Sequence, residues 1–70
     1  MTTRTEPSTA LTDSELAIVR LVAMGRRNAE IASELFISIR TVEAHLRNAY
    51  TKTARRNRTE ISRWLWGVPQ

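Results

Sequence analysis

The sequence predicts an all-α domain of four short helices, and three observations carry that expectation. Apolar residues recur at helical spacing in four separate stretches. Each stretch opens beside a residue suited to cap a helix: Thr12, Asn28, Ser38 and Asn57. No stretch alternates β-branched and polar residues in the period of a strand, and there is no internal repeat or low-complexity segment.

Residues 1–10 are polar and read as a disordered tail or linker remnant, leaving a domain over 11–67 and a tail at 68–70. Thr12-Asp13-Ser14-Glu15 fits a capping box, with Glu15 reaching back to the Thr12 amide. Ile18, Val19 and Val22 follow as one stripe, and Gly25 closes a helix of about 13–24 through a left-handed turn. After the polar break Arg26-Arg27, Asn28 is the expected N-cap of a helix burying Ile31, Ala32 and Leu35. Phe36-Ile37-Ser38 interrupts the spacing, and Ser38 caps a third helix, about 39–53, that buries Val42, Leu46, Ala49 and Thr53. His45 and Tyr50 lie on its edges. Asn57-Arg58-Thr59-Glu60 is a second capping box, opening a fourth helix with Ile61, Trp64 and Leu65 inward, stopped by Gly67 and Pro69.

Seventy residues form one domain, and a core this small supplies only about 3–5 kcal/mol of net stability. The chain has no cysteine, so neither a disulfide nor a thiolate metal site adds to it. The absence of cysteine and of a signal-peptide apolar stretch fits the cytoplasm. The longest apolar run, Leu21 to Met24, excludes a membrane span. Net charge is +4, and it is unevenly placed. After Glu43 the only acid is Glu60, against Arg47, Lys52, Arg55, Arg56, Arg58 and Arg63. Such a half suits a polyanion. On charge alone nucleic acid, anionic membrane, acidic protein and a merely solvated face all remain open.

Two helices joined by a short turn, the second capped by serine, describe a helix-turn-helix. At 100° per residue with Val42 inward, Arg40, Ala44, Arg47 and Thr51 gather on the outer side. Glu43 sits on one shoulder, Thr41 and Asn48 on the other. Two arginines among small residues make a face narrow enough for a major groove about 12 Å wide. The expected partner is therefore double-stranded DNA.

These residues also carry a resemblance. Leu11-Thr12-x-x-Glu15, Gly25-x-x-Asn28-x-Glu30-Ile31-Ala32 and Leu35-Phe36-Ile37-Ser38-x-x-Thr41-Val42-x-x-His45-Leu46-x-Asn48-x-Tyr50-x-Lys52 resemble the DNA-binding domain of LuxR/FixJ/NarL-type bacterial regulators. A chain of this length looks like the stand-alone, GerE-like form. The resemblance implies a four-helix domain without a wing, sequence-specific duplex binding, transcription regulation and a homodimer formed through the last helix. Half-sites would then lie about one helical turn apart, and RNA polymerase is a further candidate partner. Carried onto this sequence, Glu43, Ala44 and Arg47 read bases, with Arg40 beside them. Arg26, Arg27, Asn28, Ser38, Thr41, Asn48 and Lys52 meet phosphate, and Arg63 and Trp66 meet the dimer or another partner. Arg47 suits guanine, Ala44 a thymine methyl, and Glu43 a cytosine amino group. The family more often has a basic residue where Glu43 stands. Many members carry lysine where Ala29 stands, an absence that Arg26 and Arg27 offset. Thr53-Ala54-Arg55 replaces a Leu-Gly-Val, which predicts a looser or rearranged junction between the third and fourth helices.

Two other readings compete: a promoter reader like region four of a sigma factor, and a protein-interaction module that keeps the fold without reading DNA. An enzyme is not expected, since Ser33, Ser62 and His45 lie on different elements without an orienting acid. No cofactor is expected either, and His45 reads as a packing residue rather than a metal ligand. Arg55, Arg56 and Arg58 are either a phosphate clamp or a solvated turn. Glu30 and Glu34 read as solvated charges, and Glu15 as a cap that also pairs with a C-terminal arginine.

Overall fold

Every helix begins where a side chain takes up backbone N–H groups that the first turn leaves without partners. The computed structural model describes residues 11–67. The expected tails at 1–10 and 68–70, Pro69 included, lie outside the described residues. The four helices are α1 (Asp13–Ala23), α2 (Asn28–Leu35), α3 (Ile39–Thr53) and α4 (Arg58–Gly67). At α1 the capping box is complete. Thr12 N donates to Glu15 Oε1 at 3.0 Å, and Glu15 N donates to Thr12 Oγ1 at 3.1 Å.

The cap of α2 differs from the expected one. Asn28 is the first helical residue and Arg27 the N-cap, because the Glu30 carboxylate accepts from the Arg27 amide at 2.7 Å. Glu30 therefore caps its own helix instead of being simply solvated. Ser38 caps α3 as expected, its Oγ accepting from Thr41 N at 3.0 Å. At α4, Asn57 Oδ1 accepts from Glu60 N at 2.9 Å. Glu60 then reaches one residue further back than a capping box requires, to the Arg56 amide at 2.8 Å.

Three helices end in one and the same way. A residue with positive φ follows the helix, and the next N–H closes back onto a carbonyl five residues earlier. The left-handed residues are Gly25 (φ 90), Phe36 (φ 59) and Ala54 (φ 57). The closing bonds are Arg26 N to Leu21 O at 3.0 Å, Ile37 N to Ala32 O at 3.0 Å, and Arg55 N to Tyr50 O at 3.1 Å. The turn that leads from α3 to α4 therefore closes as the two earlier turns do. Ala54 adopts the conformation a glycine would take more readily, and Thr53 stays buried by donating its hydroxyl to Ala49 O at 2.8 Å.

α1 lies at the centre and touches the other three helices. α4 packs mainly against it, while α2 packs on α3. Ile18, Val19, Val22, Ile31, Ala32, Val42, Leu46, Ala49, Ile61 and Leu65 form the core. Each large aliphatic side chain there contributes about 1.5–3 kcal/mol through burial. Leu35 and Trp64, expected inward, are half-buried at the margin of this core. No described helix is long and apolar enough to cross a membrane.

Candidate nucleic-acid interface

α3 spends one stripe, Val42, Leu46, Ala49 and Thr53, on the core. A helix has only about 3.6 residues per turn, so the opposite side is left to solvent. There Arg40, Glu43, Ala44 and Arg47 are all exposed, with Asn48 and Thr51 also exposed along the helix. The four residues expected to read bases thus share one open face. Among the described residues no carboxylate lies within ion-pair distance of Arg40 or Arg47.

The residues expected at phosphates divide into two groups. Arg27, Ser38 and Asn48 are exposed and Thr41 is half-buried. Ser38 and Thr41 hold their hydroxyls 2.9 Å apart at the start of α3. The other three have partners inside the protein. Arg26 Nε donates to Glu34 Oε2 at 2.7 Å, so Glu34 is paired rather than merely solvated. Asn28 Oδ1 accepts from Arg58 Nη1 at 2.8 Å. Lys52 Nζ meets Glu15 Oε1 at 2.7 Å, joining α3 to α1.

Glu15 is only 4% exposed. Burial alone raises its carboxyl, but the Lys52 ammonium and the Thr12 hydrogen bonds outweigh that and hold it below the usual carboxylate range. Its partner is a lysine of α3, not the C-terminal arginine that the sequence suggested. Arg58 is neither a solvated turn residue nor a free clamp. It is half-buried, and its second nitrogen donates to the Arg26 carbonyl. Asn28, Glu43, Arg47, Tyr50 and Arg58 line one open groove beside the bare face of α3. Burial pushes the Tyr50 hydroxyl up, and the Arg58 charge partly offsets it. Local sequence signals marked the start of α4 but gave no hint of the Arg58 or Lys52 pairings, whose partners lie 30 and 37 residues away. Arg55 and Arg56 are exposed, as are Arg63 and Trp66 on α4, the tryptophan 71% so.

A short helix, a left-handed turn and a longer helix with a bare cationic face define a helix-turn-helix domain of the transcription-regulator class. The sequence matches the bacterial regulatory proteins of the luxR family over residues 9–65, and the chain belongs to that family. It is similar to the oxygen regulatory protein NreC of Staphylococcus aureus strains JH9, Mu3 and USA300. Each is 42% identical over 57 residues, covering 81% of this chain and 26% of the relative. The chain thus spans about a quarter of the length of these curated relatives. No solved structure matches it significantly. The family is one of DNA-binding transcription regulators and not of enzymes.

Proposed function

We propose that this chain binds double-stranded DNA sequence-specifically and regulates transcription, with α3 lying in the major groove. The single observation that supports this best is the exposed face of α3, where Arg40 and Arg47 have no counter-charge among the described residues. In this reading Arg40, Glu43, Ala44 and Arg47 meet base edges. Arg27, Asn28, Ser38, Thr41 and Asn48 position the domain on the backbone, and Arg26 joins them when phosphate replaces Glu34. Lys52, paired with Glu15, is assigned instead to holding α1 against α3. Two domains act together through α4, where Trp66 and Arg63 are exposed. An exposed tryptophan is a frequent anchor of such contacts.

Titration against duplex DNA at several salt concentrations tests the reading. With Arg26 and Arg27 of each of two protomers on phosphate, log K falls with log salt at a slope of up to roughly −4. Arg47→Ala costs about 1–3 kcal/mol on the best duplex and relaxes one base position. Uniform weakening on all sequences would place Arg47 on phosphate only. A lack of binding at low salt would point to a protein-interaction module. Sedimentation of the chain with and without DNA reads the dimer: a single domain per duplex refutes pairing through α4.

A further inference from the structure

We propose that Arg58 is a positioning residue for DNA contact, fixing the side-chain amide of Asn28 so that its N–H donors face a backbone phosphate. The inference rests on the DNA-binding reading above. Arg58 opens α4, whereas Asn28 opens α2 at the edge of the groove beside α3. Through Nη1 the guanidinium donates to Asn28 Oδ1 at 2.8 Å. A guanidinium carries donors and no acceptor, so the amide has to turn its oxygen toward Arg58. Its NH2 group then points the other way. A side-chain amide free to rotate about its last torsion offers oxygen or nitrogen to a neighbour with little preference. Only one of those settings offers a donor to an anion.

The second bond fixes the guanidinium itself. Nη2 donates to the carbonyl of Arg26, the residue before the N-cap of α2. Arg58 thereby ties the α1–α2 turn, which carries Arg27, to the start of α4. The fork matters here. A lysine keeps the charge but presents a single nitrogen and cannot reproduce the two-point geometry. With both terminal nitrogens engaged inside the protein, Arg58 acts through Asn28 rather than as the main phosphate ligand.

The test is a thermodynamic cycle on affinity for a mixed-sequence DNA duplex, read by fluorescence anisotropy well below the melting temperature. Arg58→Lys and Asn28→Ala each weaken binding about three- to tenfold, the effect of losing one hydrogen bond of ordinary net strength. The double variant binds within about twofold of Asn28→Ala alone, because coupled residues do not add. The salt slope of Arg58→Lys stays that of the wild type, since no charge is removed and an amide releases no counterion. Asn28→Asp keeps an acceptor for Arg58 but removes the donors. It loses affinity while melting at or above the wild-type temperature, which keeps the test decisive should Arg58→Lys melt too low to assay. Arg58→Lys binding like the wild type, losses that multiply in the double variant, or full affinity in Asn28→Asp each overturns the proposal. A wild-type chain that ignores the duplex at every salt concentration refutes DNA binding itself. A wild-type chain that binds while Arg58→Lys is unaffected refutes only the role of Arg58.

Discussion

Replacing Ala54 by glycine should stabilise the domain, although the change removes atoms and adds no contact. Ala54 sits at φ 57 after α3, where its amide and that of Arg55 close onto Thr51 O and Tyr50 O. An L-residue held in that left-handed conformation costs about 1–2 kcal/mol. Glycine escapes this cost but loses about 0.4–1 kcal/mol more backbone entropy on folding. Ala54 is exposed, so no packing is forfeited, and the balance is a gain of about 0.5–1 kcal/mol. In a domain of this size about 1 kcal/mol moves the melting temperature by 4–8 °C, so a rise of about 2–8 °C is expected by thermal denaturation followed by circular dichroism. Gly25→Ala is the mirror experiment. A Cβ there would meet nothing within 4 Å, and φ is +90. Only the backbone conformation can matter, and the melting temperature should fall by a similar amount. A lower melting temperature for Ala54→Gly, or two variants that shift in the same direction, would refute the assignment of strain to this turn.

Two further outcomes follow from the internal ion pairs. Because the folded Glu15 carboxyl is held below its ordinary value, its stabilising effect is full above the unfolded glutamate value of about 4.3 and is lost as pH falls through the lower folded value. Urea melts of the wild type and Glu15→Gln across that range should show the acid loss shrinking in the variant; identical pH dependence would refute the pairing. Glu34→Gln frees Arg26 from its surface partner, so duplex affinity should rise at low salt and the slope should steepen by up to about one unit for each protomer bound. Unchanged affinity and slope would mean that Arg26 stays away from phosphate.

The sequence alone determined where the helices begin, which stripe of each is buried and which side of α3 is open. The reason is range. The partners of a cap or a buried stripe lie within a few residues of one another, where helical geometry fixes their distance whatever the rest of the chain does. Thr12 with Glu15, Ser38 with Thr41, and the Val42-Leu46-Ala49-Thr53 stripe were legible for that reason. Even there the α2 cap moved to Arg27, where the Glu30 carboxylate closes back onto the Arg27 amide while the Asn28 side chain is engaged by a residue of α4. The pairings of Glu15 with Lys52 and of Asn28 with Arg58 depend on how α1, α2, α3 and α4 settle around one core. The conformation of Ala54 belongs with them. A missing glycine predicted an altered turn, yet burial of Thr53 on one side and of Ile61 and Leu65 on the other imposes the left-handed residue regardless. Tertiary packing, not local preference, decided which charges remain available at the candidate DNA face. A core of ten aliphatic side chains outweighs the roughly 1 kcal/mol that a single strained residue costs.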